Sequence, residues 1–228
     1  MELGWISQDG RRTPLSGLLT QGRTKTAGDL DVGCAASDER LVVFCRYPLP
    51  GCVKTRLIPV LGPLGAAELH RRLAERSVAL AAKAAAERGA ELVVAYSGAP
   101  KRAVERWIGR GKRLVPQSGK DLGERMASVF RSAFQEGARR VVLVGTDIPG
   151  LTNHDFHRAL AALGSANLVL GPSLDGGYWL IGLDRHAEVF GAVPWGTSEV
   201  RRRTLALADG LGLRVRELRT LRDVDTPE

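Results

Sequence analysis

Short apolar runs alternate with helical segments along most of the chain, and this alternation restricts the possible folds more than any other feature. Runs rich in Val, Leu and Ile predict strands at 41–45, 92–96, 113–115, 141–144, 168–170, 178–183 and 213–218. Helical spacing predicts helices at 64–88, 101–109, 121–136, 152–163 and 198–209. Strands that alternate with helices form a mostly parallel sheet with helices on both faces. The sequence therefore predicts an α/β domain, with one antiparallel pair of strands around the turn at 175–177.

The first 39 residues differ from the rest because they lack a periodic apolar pattern and are rich in Gly, Ser, Thr, Asp and Arg. We expect residues 1–39 to be a disordered N-terminal extension, although a mis-assigned translation start would explain the same composition. A chain of 228 residues suits one sizeable domain better than two. We therefore expect a single domain over residues 40–228.

The formal net charge of +8 indicates an anionic partner, such as a nucleotide or a phosphorylated substrate. A coding bias towards Arg explains this charge equally well. Aromatic residues make up only 5% of the chain and no motif of a nucleic-acid reader is present, so we do not expect a nucleic-acid partner.

The sequence shows neither an apolar stretch long enough to span a membrane nor the pattern of a secretory signal. The cysteines Cys34, Cys45 and Cys52 are odd in number and lack the spacing of zinc ligands. We interpret them as reduced thiols, and we expect a cytoplasmic protein without a membrane span.

Ligands of open parallel sheets bind beyond the carboxyl ends of the strands, and a basic loop follows the first predicted strand. The segment PLPGCVKTR covers residues 48–56, where Gly51 allows a tight turn and Lys54 and Arg56 supply cations for phosphate. It is not a Walker A loop, because Val53 stands where that motif has Gly. A solvated basic turn is the simpler alternative.

Carboxylates are available at two further places. Asp147 directly follows the fourth predicted strand, a placement that suits a ligand of Mg²⁺ or Mn²⁺ bridging diphosphate oxygens. Asp223 and Asp225 are two residues apart and so point the same way on an extended segment, where they can supply a second carboxylate. The alternatives are a turn or helix cap for Asp147 and a helix N-cap at 223–228.

Two more segments combine glycines with polar side chains. Asp175 can bind substrate hydroxyls or act as a base, and the two glycines after it allow a ligand to approach the backbone closely, although Asp-Gly is also an ordinary hairpin signal. Residues 117–125 follow the third predicted strand and suit contacts to a base or ribose, while a polar loop with a helix cap explains them equally well. The four histidines show no strong arrangement, and we interpret His154 and His157 as a solvated helix face.

Six motifs occur in order along the chain. They are Pro-Leu-Pro-Gly-x-x-Lys-Thr-Arg-Leu at 48–57, Gln-x-Gly-x-Asp-Leu-Gly-Glu-Arg-Met at 117–126, Gly-Thr-Asp-x-Pro at 145–149, Gly-Pro-x-x-Asp-Gly-Gly-Tyr-x-Leu-Ile-Gly-Leu at 171–183, Trp-Gly-Thr at 195–197 and Asp-Val-Asp-Thr-Pro-Glu at 223–228. Together they resemble the DUF2064 family, also called radical-SAM/selenodomain-associated transferase 1 or arsenosugar-biosynthesis glycosyltransferases, and the resemblance covers residues 40–228.

This resemblance implies the Rossmann-like glycosyltransferase-A fold of nucleotide-diphospho-sugar transferases. The guanylyltransferases of phospholactate and molybdenum-cofactor synthesis have the same fold. It also implies a ligand for each matching residue. Donor phosphates would be bound by Gly51, Lys54, Thr55 and Arg56, and the nucleoside by Gln117, Gly119, Asp121 and Arg125. A divalent metal would be bound by Asp147 and Asp225, and the sugar or acceptor by Asp175, Gly176, Gly177, Tyr178, Trp195 and Thr197. The chain departs from the family in its N-terminal extension and in ending at Glu228, where relatives continue Asp-Leu into a helix.

Two activities fit these features. The first is a glycosyltransferase that uses Mg²⁺ or Mn²⁺, a nucleotide-sugar donor and a small-molecule acceptor, with Lys54, Asp147 and Asp175 in catalysis. The alternative is a guanylyltransferase-like nucleotidyltransferase that acts on a phosphorylated small molecule and releases pyrophosphate. A non-catalytic binding module is disfavoured because Lys54, Asp147 and Asp225 are all intact. The sequence leaves the donor, the acceptor and the oligomeric state open.

Overall fold

A seven-stranded sheet forms the centre of the computed structural model, which describes residues 37–226. All but the last three residues of the predicted N-terminal extension therefore lie outside the described part of the chain. The strands are β1 (Glu39–Arg46), β2 (Glu91–Ser97), β3 (Arg113–Pro116), β4 (Arg140–Val144), β5 (Leu168–Pro172), β6 (Tyr178–Leu183) and β7 (Val215–Glu217). The helices are α1 (Ile58–Arg88), α2 (Lys101–Ile108), α3 (Leu122–Gln135), α4 (Asn153–Ala162) and α5 (Val200–Gly210).

The strand order is β3-β2-β1-β4-β6-β5-β7, and among the described strands only β6 runs against the others. β1 pairs in parallel with β2 and β4, β2 with β3, and β5 with β7. β6 is antiparallel to both β4 and β5. The predicted antiparallel pair is thus the β5–β6 hairpin, which turns so that β6 lies inside the sheet and β5 lies further out. The predicted α/β class and mostly parallel sheet are confirmed.

Helices cover both faces of the sheet, as the alternating pattern predicts. On one face, α1 and α4 pack through small and apolar side chains, including Ala81 and Phe156, against the sheet. On the other face, α3 and α5 contribute Phe130 and Ala208 to a second apolar cluster. Because both faces are covered, the central strands are apolar throughout, and Val42 and Val43 are both fully buried although they point to opposite faces.

α1 begins six residues earlier than predicted, at Ile58, after a short 3₁₀ turn at Thr55–Leu57. Gly62 interrupts it with a left-handed φ of 66°, and Pro63 follows. This Gly-Pro pair explains why the sequence pattern indicates a helix only from residue 64. No helix in the described range, residues 37–226, is both long enough and apolar enough to cross a lipid bilayer.

The C-terminal segment crosses the sheet edge and returns towards β4. Backbone hydrogen bonds join Leu218 to Leu170 (2.8 Å), Leu221 to Pro172 (3.0 Å) and Val224 to the carbonyl of Asp147 (3.0 Å). These contacts are non-local, and they carry the chain from the outer strands to the loop after β4.

An ion pair between a buried carboxylate and a partly exposed guanidinium also fixes this segment. The guanidinium of Arg219 donates two hydrogen bonds to Asp155, 2.8 Å to Oδ1 and 2.7 Å to Oδ2. Asp155 is 2% exposed and also forms the capping box of α4 with Thr152. Burial raises the pKa of Asp155, but the hydrogen bonds from Arg219 and Thr152 outweigh it, and the pKa is lowered below its usual range.

We expect Asp155→Asn to reduce the free energy of unfolding at neutral pH by about 1–2 kcal/mol, because it weakens a charge-assisted pair whose Arg219 partner is still 43% exposed and screened by solvent. A carboxyl with a lowered folded-state pKa stabilises the fold above its unfolded-state pKa, and this contribution is lost as the pH falls through the folded-state pKa. Urea unfolding from pH 7 down to pH 3 should therefore show the difference between wild type and variant shrinking in acid.

Asp209→Asn is the matched control, because Asp209 is exposed on α5. It should change stability little at any pH. A stability loss for Asp155→Asn that stays constant across the pH range would show that the charge of Asp155 is not what stabilises the C-terminal segment.

Candidate active site

A cleft of about 480 Å³ opens at the carboxyl edge of the sheet. Its walls come from the carboxyl ends of the parallel strands and the loops after them, and from the first four residues of the antiparallel strand β6, which starts at this same edge. Residues of α1 and α3, such as His70 and Met126, complete the lining. The carboxyl edge is where open α/β sheets bind ligands, and the volume is typical of a small-molecule site. Polar side chains on the wall include Arg46, Ser97, Gln117, Asp147, Ser173 and Tyr178.

Two carboxylates that line the cleft contact the same ammonium group. The ammonium of Lys54 lies 2.6 Å from Oδ1 of Asp147 and 2.7 Å from Oδ1 of Asp225. The Lys54 side chain is only 3% exposed, while the side chains of Asp147 and Asp225 keep 42% and 45% of their surface accessible. The ammonium is therefore enclosed, and the carboxylates present their free edges to the cleft.

The loop after β1 directs Lys54 inward. Val53 and Leu57 on either side are buried and anchor the loop, while the backbone of Lys54 is left-handed, with φ 49° and ψ 40°. A non-glycine residue in this conformation costs about 1–3 kcal/mol. The two ion pairs of the side chain offset that cost, which is why the conformation persists at this position.

His70 on α1 is a member of the site that sequence reasoning missed. It is buried, with Nε2 2.9 Å from the carbonyl oxygen of Arg46 and Nδ1 3.7 Å from Oδ1 of Asp147. Because a carbonyl only accepts, Nε2 carries a proton. The available signal was a lone His within the apolar face of α1, beside Ala66 and Ala74.

The charge state of Asp147 follows from these neighbours. Burial raises the pKa of Asp147, but the imidazole of His70 and the ammonium of Lys54 outweigh it, and the pKa is lowered. Asp147 is therefore ionised at neutral pH. Its Oδ1 is buried and makes no well-aligned hydrogen bond among the described residues, so its contact with Lys54 is ionic.

A second group of carboxylates lies beside the β5–β6 turn. Oδ1 of Asp175 accepts hydrogen bonds from the hydroxyl of Ser173 (2.5 Å) and the backbone N–H of Gly177 (2.9 Å). Among residues 37–226, Oδ2 of Asp175 accepts no hydrogen bond and stays available. Asp223 also lines the cleft, and burial together with the charges of Asp175 and Asp225 raises its pKa.

An aromatic wall closes another side of the cleft. The rings of Tyr178 and Trp195 meet edge to face, with centroids 6.4 Å apart and planes at 87°. Trp195 packs directly on α3 at Gly123, where an added Cβ would lie 2.5–2.7 Å from indole atoms. Burial raises the pKa of Tyr178 above its usual range, so its hydroxyl remains protonated.

Most of the residues that the resemblance implicates reach this cleft. Those that line the cleft are Arg56, Gln117, Arg125, Asp147, Asp175, Gly177, Tyr178, Trp195, Thr197 and Asp225. Lys54 does not line it, but its ammonium contacts Asp147 and Asp225, which do.

Five implicated residues besides Lys54 do not line it. Gly51 and Thr55 lie exposed in the loop around Lys54. Asp121 is the N-cap of α3 and accepts a hydrogen bond from the Glu124 N–H at 2.8 Å. Gly119 packs against the first turn of α3, and Gly176 packs against Ser198, where in both cases a Cβ would overlap the neighbouring chain.

Several lining side chains also have internal partners. The amide nitrogen of Gln117 donates to the carbonyls of Cys45 (3.1 Å) and Ala95 (3.0 Å), which ties β3 to β1 and β2. The hydroxyl of Thr197 donates to the Pro194 carbonyl at 2.8 Å. Binding roles for these two residues remain predictions, because their hydrogen bonds already explain their positions.

Comparison with known proteins identifies the class. The structure matches a proposed nucleotide-diphospho-sugar transferase from Desulfovibrio desulfuricans G20 at 35% identity and a TM-score of 0.75, over 83% of each chain. Two structures of glucosyl-3-phosphoglycerate synthase from Mycobacterium tuberculosis share the fold. One, with Mn²⁺, UDP and glucosyl-3-phosphoglycerate, is 16% identical over 91% of this chain and 80% of the other (TM-score 0.52). The second, with Mg²⁺ and UDP, is 14% identical over 83% and 72% (TM-score 0.51).

The fold and the cleft thus define a transferase of the nucleotide-diphospho-sugar type. A family model described as "Uncharacterized protein conserved in bacteria (DUF2064)" matches residues 80–197. The chain belongs to this family, as its motifs indicate. None of the curated proteins compared with the sequence matches it.

The residues present fit a divalent cation of the kind that the fold implies. Within residues 37–226, no group of three or more His, Cys, Asp or Glu side chains is placed to hold a metal by itself. Mg²⁺, however, is commonly held by one or two carboxylates together with substrate phosphates and water. Asp147 and Asp225 supply such a pair, and the ammonium between them shows that a cation is stable at this place.

We expect Gly123→Ala to destabilise the protein by roughly 1–3 kcal/mol, because the new methyl group would displace Trp195 from α3. Urea unfolding measures the loss. Gly210→Ala is the matched control, since a Cβ at Gly210 meets nothing within 4 Å and should cost nothing. Equal stability of the two variants would mean that the contact of Trp195 with α3 does not contribute to the fold.

Proposed function

We propose that the protein is a metal-dependent glycosyltransferase that uses a nucleotide-sugar donor and a small-molecule acceptor. The observation that carries this proposal is the convergence of Asp147 and Asp225 on one cation inside the cleft. The relative from D. desulfuricans, itself proposed to be a nucleotide-diphospho-sugar transferase, supports the donor class. The Mn²⁺ and UDP in the fold relative from M. tuberculosis support the use of a divalent metal.

The donor diphosphate would bind between the basic loop and the carboxylates. Arg56 and Arg125 line the cleft and offer guanidinium groups that bind phosphate oxygens in a bidentate manner. Mg²⁺ or Mn²⁺ held by Asp147 and Asp225 would offset the charge that develops on the departing diphosphate.

The transfer step assigns Asp175 to the acceptor. The acceptor hydroxyl oxygen bonds to the anomeric carbon, while the bond from that carbon to the diphosphate oxygen breaks and its electron pair leaves with the diphosphate. The hydroxyl proton passes to the carboxylate of Asp175, whose Oδ1 is held by Ser173 and Gly177 while Oδ2 remains available. Tyr178 and Trp195 form the apolar wall against which the sugar or acceptor packs.

One observation favours nucleotidyl transfer as a second candidate. β4 is followed by the single carboxylate of Asp147 rather than by two aspartates separated by one residue. A nucleoside triphosphate makes similar demands on Lys54, Arg56 and a metal. Release of pyrophosphate instead of a nucleoside diphosphate would identify this activity.

We also propose a cytoplasmic location for the reaction. Within residues 37–226, Cys45 and Cys52 form no disulfide, which fits a reducing compartment.

The test is a panel of UDP-, GDP-, ADP- and dTDP-sugars incubated with the protein and Mn²⁺, with release of nucleoside diphosphate as the readout. Nucleoside triphosphates are tested in parallel for pyrophosphate release. Diphosphate release from one nucleotide sugar supports the glycosyltransferase. Pyrophosphate release alone would replace it with the nucleotidyltransferase, and no turnover with or without metal would contradict both.

With the active donor, we expect Asp147→Asn to lower kcat/KM by about 100-fold or more, because it removes a carboxylate from the cation position. Asp209→Asn, which removes an exposed carboxylate outside the cleft, should stay within about twofold of wild type. Circular dichroism controls for folding. Unchanged turnover in folded Asp147→Asn would remove this residue from the mechanism.

A further inference from the structure

The ammonium of Lys54 occupies the point where the carboxylates of Asp147 and Asp225 converge. Its contacts of 2.6 and 2.7 Å are as short as charge-assisted hydrogen bonds become. A lysine side chain that is only 3% exposed is uncommon unless it is paired, so these carboxylates hold it in place. The protein therefore supplies its own cation at this position.

A divalent cation cannot share this position with the ammonium. Mg²⁺ bound to the same two oxygens would lie about 2.0–2.1 Å from each, where it would overlap with Nζ of Lys54. The charges of the ammonium and of the metal also repel each other across a distance too short for solvent to screen. A metal that binds through these two Oδ1 atoms must therefore displace the ammonium.

We propose that Lys54 is an internal competitor of the divalent cation, and that metal binding displaces its ammonium from Asp147 and Asp225. This proposal rests on the proposed function for the identity of the cation. The displaced ammonium is then free to contact the donor phosphates. Their negative charge replaces that of Asp147 and Asp225, which now pair with the metal. Val53 and Leu57 anchor the backbone of the loop, so the movement is one of the Lys54 side chain, beside which Thr55 and Arg56 are exposed.

Removing the ammonium should expose the competition directly. In Lys54→Met, Asp147 and Asp225 face each other without a counter-charge, so the metal-free variant is destabilised and the metal gains an open position. Lys54→Gln removes the same charge but keeps a polar side chain. Lys101→Met is the matched control, since Lys101 is 60% exposed on α2 and pairs with Glu105, its one ionic partner among residues 37–226.

The experiment titrates each protein with Mn²⁺ and measures free Mn²⁺ by electron paramagnetic resonance, with no nucleotide or acceptor present. We expect Lys54→Met and Lys54→Gln to bind Mn²⁺ at least tenfold more tightly than wild type, while Lys101→Met matches wild type. Thermal unfolding should show a larger Mn²⁺-induced rise in Tm for the two Lys54 variants. Equal or weaker Mn²⁺ binding by folded Lys54 variants would overturn the proposal.

A measurement on the wild-type protein avoids dependence on how the variants fold. With ¹⁵N-labelled lysine, the buried ammonium of Lys54 should give a slowly exchanging Nζ signal that Lys101→Met retains. Diamagnetic Mg²⁺ at saturation should remove or shift this signal. A signal that stays unchanged while Mg²⁺ binds would show that the two cations occupy different places, and the proposal would be wrong.

These readouts separate the inference from the proposed function. Turnover of a nucleotide sugar by wild type, together with unchanged Mn²⁺ affinity in the Lys54 variants, would contradict only the inference. Tighter Mn²⁺ binding by the Lys54 variants without turnover of any donor would contradict only the proposed function.

Discussion

The ion triplet of Lys54, Asp147 and Asp225 is the interaction on which the arrangement of the cleft depends. It joins the loop after β1, the loop after β4 and the C-terminal segment, and Lys54 and Asp225 are 171 positions apart in sequence. An enclosed ammonium is stable only if it is paired. Each of the three segments therefore constrains the other two, and the cleft takes its shape where they meet.

The outer half of the sheet positions Asp225, the third member of this triplet. β6 returns beside β4 and so places β5 and β7 further out, and the chain after β7 must then cross back to reach β4. Arg219 stabilises this returning segment through its partly buried ion pair with Asp155, and the N–H of Val224 donates to the carbonyl of Asp147. The antiparallel position of β6 thus explains why the carboxylate of Asp225, near the C-terminus, lies beside Asp147 from the centre of the chain.

The amino-acid sequence predicted the elements well because apolar periodicity is a local property. It also predicted that Asp147 and Arg56 would lie at one edge, since both follow parallel strands. It could not predict that Lys54 would pair with Asp225, because that contact needs the strand order. His70 was missed for the same reason: its partners, Arg46 and Asp147, belong to other elements.

A ligand-binding role and a structural role were hardest to distinguish where the same residue type suits both. Asp121 matches a family motif and is also a good N-cap, and in the structure it caps α3. Gly176 matches a motif as well, yet its positive φ and its contact with Ser198 explain a glycine without a ligand. Spacing along the sequence is the same in both cases, so only the three-dimensional contacts distinguish them.

The charge of the whole chain gives a misleading picture of the cleft. Charged groups at the opposite end of the sheet, such as Arg40 with Glu91 and Glu136, count in the net charge of the chain but not in that of the cleft. The charged residues that line the cleft besides His70 are three arginines and four aspartates, Arg46, Arg56, Arg125, Asp147, Asp175, Asp223 and Asp225, and the ammonium of Lys54 brings them to balance.

A cleft with balanced charge has no surplus of positive charge for a diphosphate. Binding the donor therefore makes the site negative unless a further cation enters with it, and repulsion between phosphate and the carboxylates would grow in an enclosed, weakly screened space. A divalent ion bound to Asp147 and Asp225, as proposed, would restore the balance, and it would also release the positive charge of Lys54 towards the phosphates. The arrangement of charges thus favours the arrival of metal and donor together over either one alone.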